Sequence, residues 1–336
     1  MGRTYLVTGS AGFIGSNFVQ MLLREEDDAR VVSVDALTYA GNVDNLGAAM
    51  DDARHEFVQA DIRDRAAMNA LVGRVMPDVI VNFAAESHVD RSITNPVTFA
   101  ETNTAGTVSL LDAALDAWEG PDGFGDHRFI QISTDEVYGS LALGEDRAFV
   151  ETDPLAPRSP YSASKASADL YALAYFTTYG LPVCVTRCSN NYGPRQYPEK
   201  LIPVVIKHAL AHEPIPVYGD GLHVRDWIHV DDHCAAVLTV VRSGKPGEVY
   251  NVGASNEVPN IEIVRRIIAT CAELSGDAGI DESLIEHVVD RKGHDRRYSI
   301  DASKIRHELG WAPRVEFAQG LANTVAWYVE RGRHAE

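Results

Sequence analysis

The chain lacks the features that mark secreted, membrane and nucleic-acid-binding proteins. Among its 336 residues no uninterrupted apolar run approaches the roughly 18 residues of a membrane helix, and a strand pattern begins at Tyr5 without the basic and then apolar segments of a signal peptide. Basic residues are scarce: 30 Lys and Arg stand against 48 Asp and Glu, and the formal charge of -18 opposes binding to nucleic acids and anionic membranes. We therefore expect a soluble cytoplasmic protein in which any anionic ligand meets a local basic cluster.

Cysteine is scarce as well. The four cysteines, Cys184, Cys188, Cys234 and Cys271, form no CxxC pair, zinc-ligand spacing or disulfide framework, which predicts reduced thiols. The stretch DDHC, which begins at Asp231, contains metal-binding residue types, but no second ligand cluster accompanies it. We interpret it as a capped helix start and predict no metal site.

Short β-branched segments alternate with longer amphipathic ones over the first 189 residues. This alternation predicts βαβ units in a doubly wound parallel sheet, an α/β fold of the Rossmann type. The predicted strands are Tyr5–Thr8, Val31–Val34, Glu56–Ala60, Val79–Ala84, Arg128–Ser133 and Val183–Arg187, and the predicted helices start near Phe13, Arg65, Val97 and Tyr161. Beyond this point Pro and Gly interrupt the pattern, which indicates a smaller mixed C-terminal lobe. We predict one domain over 1–189, with 224–252 returning to it, and a second lobe over 190–223 and 253–336.

A glycine-rich turn follows the first predicted strand. Gly9, Gly12 and Gly15 have the spacing that permits a tight turn and close approach of the backbone to a pyrophosphate at a helix N-terminus. Asp35 ends the second strand 20 residues after Gly15, where a carboxylate can bind ribose hydroxyls and repel a 2′-phosphate. The first domain is therefore predicted to bind NAD rather than NADP, with Asp61 and Ile62 flanking the adenine.

A tyrosine and a lysine lie four residues apart at a predicted helix start. Tyr161 and Lys165 would share one helical face, so that the ammonium could lower the pKa of the phenol and make it a base for a sugar hydroxyl. In isolation such a pair is more often a packed tyrosine beside a solvated lysine. Behind a dinucleotide-binding segment we favour the catalytic interpretation.

Two adjacent carboxylates, Asp135 and Glu136, follow the strand predicted over Arg128–Ser133. In an arbitrary sequence such a pair would accept backbone amides at a helix start on the surface. Behind a buried strand, like charges and burial can separate the two pKa values, leaving one carboxyl protonated as an acid and the other charged as a base.

These motifs together carry a resemblance. The glycine turn and Tyr-x-x-x-Lys resemble the extended short-chain dehydrogenase/reductase superfamily. More narrowly, VDALTYAGN, AAESHVDRSI, STDEVYG, SPYSASKAS, CSNNYGP, PEKLIP, RDWIHVDDH and GHDRRYSID are similar to the dTDP-glucose 4,6-dehydratases, in order from about Thr4 to Trp311. The resemblance implies NAD as cofactor, dTDP-glucose as substrate, a nucleotide-sugar-binding second lobe, and a homodimer formed by the helices near Val97–Trp118 and Ser162–Tyr179.

The resemblance also implies roles for the central residues. Tyr161 would take the proton of the glucose 4-hydroxyl as C4 is oxidised, and Thr134 would hydrogen-bond the C4 oxygen. Glu136 would remove the C5 proton and later return it, and Asp135 would protonate the departing C6 hydroxyl before hydride returns to C6.

The remaining implied contacts fall into two groups. For NAD they are Phe13, Ile14, Asp35, Ala36, Leu37, Thr38, Phe83, Ala84, Ala85, Thr102 and Asn191, together with Tyr161 and Lys165. For the substrate they are Ser87, Thr134, Asn190, Lys200, Leu201, Pro216, Tyr218, Arg225, Asn260, Asp290 and His294. Two departures from the family pattern, Arg195 in place of an aromatic residue and a short segment 141–149, are expected near the substrate entrance.

Two other functions are open at this point. A UDP-hexose 4-epimerase or another nucleotide-sugar dehydratase of the superfamily would share the fold, but the resemblance implies a different triplet at Thr134–Glu136 in those enzymes. A non-catalytic NAD sensor or scaffold would need the glycine turn, but not Tyr161, Lys165 and the acidic pair.

Overall fold

A seven-stranded parallel sheet forms the centre of the molecule. The structure is a computed structural model and describes residues 2–121 and 123–334. The strand order is β10-β6-β5-β4-β1-β2-β3, and all neighbours are parallel. The twelve strands of the described ranges are β1 Thr4–Thr8, β2 Arg30–Asp35, β3 His55–Gln59, β4 Val79–Asn82, β5 Arg128–Thr134, β6 Val183–Cys188, β7 Asn190–Tyr192, β8 Ile215–Tyr218, β9 Val224–His229, β10 Val249–Val252, β11 Glu257–Pro259 and β12 Ile285–Val288. The Rossmann-type fold predicted from the sequence is confirmed.

Helices cover both faces of this sheet, which explains why strands such as β4 and β6 are buried along their whole length. The helices are α1 Phe13–Glu25, α2 Arg65–Val75, α3 Val89–Thr94, α4 Pro96–Phe99, α5 Thr107–Trp118, α6 Pro160–Tyr179, α7 Leu201–Leu210, α8 Val230–Ser243, α9 Asn260–Ser275, α10 Ser303–Leu309 and α11 Phe317–His334. Phe18 and Val237 pack on one face of the sheet, and Leu71, Leu110 and Ala172 pack on the other. Among the described residues we find no helix that combines the length and the apolar character needed to span a bilayer.

Short irregular helices connect several of the regular elements. Two 3-10 segments, Val43–Asp51 and Asp135–Tyr138, follow β2 and β5, and a third occupies Glu282–Leu284. A π-helical segment, Ala100–Gly106, joins α4 to α5. The sequence predicted one helix from about Val97 to Trp118, and the wider π turn inside it was not anticipated.

The C-terminal half contributes to both lobes. Strand β9 lies in a small sheet of order β11-β9-β7, and β8 pairs with β12. Because side chains alternate along a strand, Ile228 of β9 faces the large core and Trp227 faces a second core formed with α7, α9 and α11. Helix α8 packs on the large core, and β10 forms an edge of the seven-stranded sheet. The boundary between the lobes thus runs along β9, and the domain limits given above stay a prediction.

The order of the large sheet reverses beside β1. Strand β1 lies between β2 and β4, and the chain crosses from β3 at one edge back to β4 at the centre. In open α/β sheets the crevice at the carboxyl ends of the strands at such a reversal is the usual binding site.

Candidate active site

A cavity of about 440 Å³ opens at the carboxyl ends of the central strands. Most of the predicted site residues line it: Gly9, Gly12, Phe13, Ile14, Gly15, Asp35, Ala36, Thr38, Asp61, Ile62, Phe83, Ala84, Ala85, Ser87, Thr102, Thr134, Glu136, Tyr161, Lys165, Asn190, Asn191 and Lys200. The others are outside this lining in the described structure: Leu37, Asp135, Leu201, Pro216, Tyr218, Arg225, Asn260, Asp290 and His294. Several residues that the sequence analysis did not select also line the cavity, among them Tyr39, Glu86, Tyr197 and Glu199.

The glycine turn leaves room for a ligand close to the backbone. Gly9 has φ +64°, and a Cβ there would lie 2.6 Å from the Ala84 nitrogen. A Cβ at Gly15 would lie 2.2 Å from the Gly9 oxygen, so only glycine lets α1 approach the turn this closely. Gly12 directly precedes α1 and has no side chain to cap its first amides. The turn therefore fits the pyrophosphate of a dinucleotide at a helix N-terminus.

Asp35 is positioned by the backbone at the end of β2. Its Oδ2 accepts a hydrogen bond from the Ala11 amide at 2.9 Å, and its Oδ1 accepts one from the Leu37 amide at 2.8 Å. Burial raises the pKa of this carboxyl, and the two amide donors oppose that rise. A carboxylate oriented by two amides next to the glycine turn fits the ribose of NAD.

Asp61 has a different environment. Arg63 donates twice to its Oδ2, at 2.9 and 2.6 Å, and once to its Oδ1, at 3.1 Å, and this hydrogen bonding lowers the pKa of the Asp61 carboxyl.

The acidic pair lies where β5 passes into a 3-10 turn. Thr134 caps this turn: its hydroxyl accepts from the Glu136 amide and donates to Asp135 Oδ1, both at 3.3 Å. Asp135 is 2% exposed. Burial, then the neighbouring Glu136 and Asp226, raise its pKa well above the usual value. Burial also raises the pKa of Glu136, but Arg291, Arg225 and Lys200 oppose that rise.

Tyr161 and Lys165 lie in the first two turns of α6. The helix begins with a capping box between Ser159 and Ser162, which fixes its start beside the cavity. The Lys165 ammonium donates to the Ile132 carbonyl at 2.6 Å. The expectation of a lowered phenol pKa is wrong for this structure: burial, then Glu136, raise the pKa of Tyr161 well above its usual value.

A buried cationic group borders the acidic pair. Arg225 is 4% exposed, donates to the Asp295 carbonyl at 2.8 Å, and lies 4.2 Å from the ring centre of Tyr298. The adjacent Asp226 has a different partner: its carboxylate accepts a hydrogen bond from the Asn256 amide at 2.6 Å. Together with Lys200 and Arg291, Arg225 forms the local basic cluster expected for an anionic ligand in an acidic protein.

The other predicted substrate contacts surround this cluster. Pro216 and Tyr218 belong to β8, and the segment from Asp290 to His294 follows its partner β12. Asn260 begins α9, and Leu201 begins α7. The side-chain oxygens of Asn190 and Asn260 are buried without a hydrogen-bond partner in the described part of the chain, and each can accept a donor from a ligand.

One cluster has metal-ligand chemistry. Ligand atoms of His223, Asp290 and His294 lie within 4.8 Å of one another, and both imidazoles hydrogen-bond or pair with Asp290. Their rings are stacked at 3.7 Å, and burial, followed by Arg291 and Arg225, lowers the pKa of His294 to about 3. Stacked rings direct their nitrogens side by side, and nearby guanidinium groups repel a cation. We assign no metal here.

The stretch DDHC lies at the start of α8. The ring of His229, two residues before Asp231, caps this helix by accepting the Asp231 amide at 3.3 Å.

Arg195 lies away from the expected substrate entrance. Its guanidinium donates to Asn17 Oδ1 at 2.8 Å and to Gln20 Oε1 at 3.0 Å, which ties the loop after β7 to helix α1. The departure from the family pattern at this position therefore concerns the packing of the NAD-binding lobe. The segment 141–149 does contact the second lobe, through the Leu141 amide and the Arg297 carbonyl at 3.0 Å.

Comparison with known proteins defines first the class and then the family. Residues 6–324 match the family model described as GDP-mannose 4,6 dehydratase. A dTDP-glucose 4,6-dehydratase of Xanthomonas campestris pv. campestris is 54% identical over 330 residues, which cover 97% of this chain and 93% of the relative. The crystal structure of DesIV, a dTDP-glucose 4,6-dehydratase from Streptomyces venezuelae with NAD and TYD bound, has a TM-score of 0.89 and 48% identity and covers 98% of both chains. The chain belongs to the family of the dTDP-glucose 4,6-dehydratases.

The epimerases are more distant. The UDP-glucose 4-epimerase of Thermotoga maritima, solved with UDP-glucose, has a TM-score of 0.85 but 30% identity, with 98% of this chain and 99% of that chain covered. The common fold therefore does not separate the two activities.

Proposed function

We propose that the chain is an NAD-dependent hydro-lyase that converts dTDP-glucose to dTDP-4-keto-6-deoxyglucose. The observation that carries the proposal is the acidic pair after β5: Asp135 is buried, and Glu136 lines the cavity together with Tyr161, Lys165 and the glycine turn. Oxidation and reduction at C4 need one acid-base residue. Water elimination needs two more, and this site supplies them.

NAD fits the residues at one end of the cavity and, when bound, accepts hydride from C4 and returns it to C6. At the other end the buried Arg225 and the basic cluster support binding of a diphosphate, for which arginine offers paired donors. Pro216 and Tyr218 would pack on the thymine. Tyr218 has 41% of its surface exposed, so a base can stack against it.

The two carboxyls suit different tasks. Asp135 has the more strongly raised pKa, because burial and the neighbouring carboxylates favour its protonated form, so it can donate a proton to the departing C6 hydroxyl. Glu136 is surrounded by cations that favour its charged form, so it can remove the C5 proton once the C4 ketone has acidified it, and can return the proton afterwards. Tyr161 takes the 4-hydroxyl proton, with Thr134 as a hydrogen-bond partner of the C4 oxygen.

The reaction itself tests this proposal. We expect purified protein to convert dTDP-glucose to the 4-keto-6-deoxy product without added reductant, because the reaction is redox-neutral overall. Formation of the 4-epimer without loss of water would instead favour the epimerase. NAD binding without turnover of dTDP-glucose, UDP-glucose or GDP-mannose would favour a sensor or scaffold.

We propose further that the protein acts as a homodimer in the cytoplasm. Helix α6 exposes Leu170 at 58%, Tyr171 at 46% and Tyr179 at 53%, and Val97 nearby is 61% exposed. Apolar exposure of this kind supports pairing of α5 and α6 across a two-fold axis. Tyr171→Arg should convert the dimer to a monomer in analytical ultracentrifugation, and Leu274→Arg, an exposed apolar position on α9, serves as the control.

The proposed location in the cytoplasm has separate support. The four cysteines form no disulfides, as is usual in a reducing compartment.

A further inference from the structure

A third charged residue continues the line of Tyr161 and Lys165 along α6. Asp169 follows Lys165 by four residues, so the three side chains lie on one face of the helix. Asp169 is completely buried, and its Oδ2 accepts a hydrogen bond from Arg187 Nε at 2.9 Å. Neither residue lines the cavity within the described structure, and neither takes part in the steps proposed above.

Arg187 is itself held in place by neighbouring residues. On β6 it is 3% exposed, and its Nη1 donates to the Tyr138 hydroxyl at 2.9 Å. That hydroxyl donates in turn to Asn251 Oδ1 at 2.7 Å, on the edge strand β10. The guanidinium also lies 4.9 Å from the ring centre of Tyr138. Asp169 therefore has a positioned cation on the side away from Lys165.

Asp169 is the group that keeps a positive charge on Lys165 favourable. Lys165 is 4% exposed, and burial lowers the pKa of its ammonium, whereas Asp169 and then Cys188 raise it. The pKa of the Cys188 thiol, on β6, is raised to about 12, so this thiol is neutral. Burial raises the pKa of Tyr138, on the turn after β5, to about 12, and it also raises the pKa values of Asp135 on the same turn and Tyr161 on α6, which favours the neutral form of each group.

Asp169 can act in this way only if it is ionised. Burial raises the pKa of its carboxyl, and Arg187, Ser133 and Lys165 oppose that rise. The pairing with Arg187 thus favours the charged carboxylate at a place where an isolated acid would be neutral.

We propose that Asp169 is a positioning residue for Lys165: its carboxylate, paired on the far side with Arg187, keeps the buried Lys165 ammonium charged next to the proton-accepting Tyr161. The phenol of Tyr161 is thus followed along α6 by the ammonium of Lys165 and the carboxylate of Asp169. The carboxylate in turn pairs with the guanidinium of Arg187 on β6. The role of Tyr161 rests on the proposed function, whereas the effect of Asp169 on Lys165 exists in the ligand-free protein. The two can therefore fail separately.

The first test measures the charge state of Lys165 directly. The chain contains only six lysines, so that ¹³Cε-lysine NMR of the ligand-free protein gives a spectrum of few signals, and Lys165→Met assigns the relevant one. We expect Asp169→Asn to lower the midpoint of the Lys165 titration by about one pH unit or more, because the opposite charge one helical turn away is lost. Arg187→Gln should lower the same midpoint, because without the guanidinium the buried Asp169 carboxyl favours its neutral form.

The Lys165 midpoint distinguishes positioning from mere stability. Both single variants break the same ion pair, so a purely structural pair would destabilise both proteins and leave the Lys165 midpoint unmoved. That result would overturn the proposal. If a single variant does not fold, the double variant Asp169→Asn/Arg187→Gln replaces the ion pair by two amides that can hydrogen-bond. It should still lower the midpoint, because the negative charge beside Lys165 is absent.

The second test follows the reaction. We expect the basic limb of the pH profile of C4 oxidation, measured in single turnovers, to move to lower pH by about one unit in Asp169→Asn and to move in the same direction in Arg187→Gln. Unchanged limbs in folded variants would contradict the proposal. If the Lys165 midpoint shifts as expected but wild-type protein does not turn over dTDP-glucose, the inference on Asp169 stands and the proposed function fails.

Discussion

Carboxylates at the floor of the cavity and on the outer surface respond to their surroundings in opposite ways. Asp135 and Glu136 are buried at the end of β5, and burial raises the pKa of both. Asp220 lies on the turn after β8 with half of its side chain exposed, and two hydrogen bonds from Arg296, at 2.8 and 2.6 Å, lower its pKa. The chemical group is the same, so the difference lies in access to water and in a directly paired cation.

This difference separates two uses of an acidic residue. A carboxylate paired with arginine in water is a permanent charge and is of little use as a proton carrier near neutral pH. A buried carboxyl without a direct cationic partner lies closer to the pH at which it must gain and lose a proton. Of the 48 acidic residues in the chain, the pair at β5 belongs to the second kind.

The largest effect is expected at the cavity floor. Glu136→Gln removes the base for the C5 proton but preserves the size of the side chain, so overall turnover should fall by about 10²–10⁴-fold. Oxidation at C4 should be nearly unaffected, since Tyr161 performs that step. Rapid-quench measurement of dTDP-4-ketoglucose and of the final product separates the two steps.

One control variant and one companion variant accompany this prediction. Asp220→Asn, the same type of change at a paired surface carboxylate, should leave turnover within about twofold, since the substitution is remote from buried interactions. Asp135→Asn should impair dTDP-glucose but spare a 6-fluoro analogue, because fluoride departs without protonation. Equal losses of C4 oxidation and water elimination in Glu136→Gln would contradict the assigned roles.

A smaller effect is expected at the adenosine end of the cavity. Asp35→Asn keeps the size of the side chain but removes the charge and one of the two acceptors that the Ala11 and Leu37 amides use. NAD should bind about 10–100-fold more weakly, the cost of losing a charged hydrogen bond, whereas NADP should lose less because the repulsion of its 2′-phosphate is gone. Isothermal titration with both dinucleotides measures the ratio. Asp52→Asn, at an exposed carboxylate paired with Arg54, should leave both affinities unchanged. An unchanged ratio in Asp35→Asn would argue against contact with the ribose.

The free energy of unfolding should depend on pH because Asp135 is a buried acid. Because the pKa of Asp135 is raised on folding, the folded protein binds the proton more tightly than the unfolded chain, and its stability falls as pH rises above the unfolded value near 4. Asparagine does not titrate, so Asp135→Asn should become progressively more stable than wild type between pH 4 and pH 7, by about 1–3 kcal/mol. Urea unfolding at several pH values tests the sign. A difference that does not change with pH would mean that the carboxyl has an ordinary pKa in the folded protein.

The sequence predicted the parts of this site that depend on local pattern. Alternating segments predict the parallel sheet, and the requirements of Gly9 and Gly15 for close backbone contacts can be inferred from the turn motif alone. The placement of Asp35 at the end of β2 follows from the same pattern. The acidic pair could likewise be located, because it directly follows a strand of apolar residues.

The parts that could not be predicted depend on long-range packing. Adjacency in the sequence suggests an ion pair between Arg225 and Asp226. However, successive residues of β9 face opposite sides of the sheet, and each of the two side chains binds a different loop. The pKa of Tyr161 was expected to fall because of Lys165, yet burial, and then Glu136, raise it. Arg187 lies 18 residues beyond Asp169, on another element, so their pairing required the structure. The spacing of Asp169 from Lys165 was a signal in the sequence that we did not use.

The smallest effect is expected at Asp220, and its pH dependence should have the opposite sign to that at Asp135. The folded pKa of Asp220 lies below the unfolded value, so its contribution to stability is present above about pH 4 and is lost as pH falls toward the folded pKa. Because the pair with Arg296 is exposed to water, Asp220→Asn should cost about 0–1 kcal/mol at pH 7, and this cost should shrink in acid. High salt should reduce it further, since solvent ions screen an exposed pair. A cost of Asp220→Asn that grew on acidification would show that surface pairing and burial do not act on these carboxylates in opposite directions.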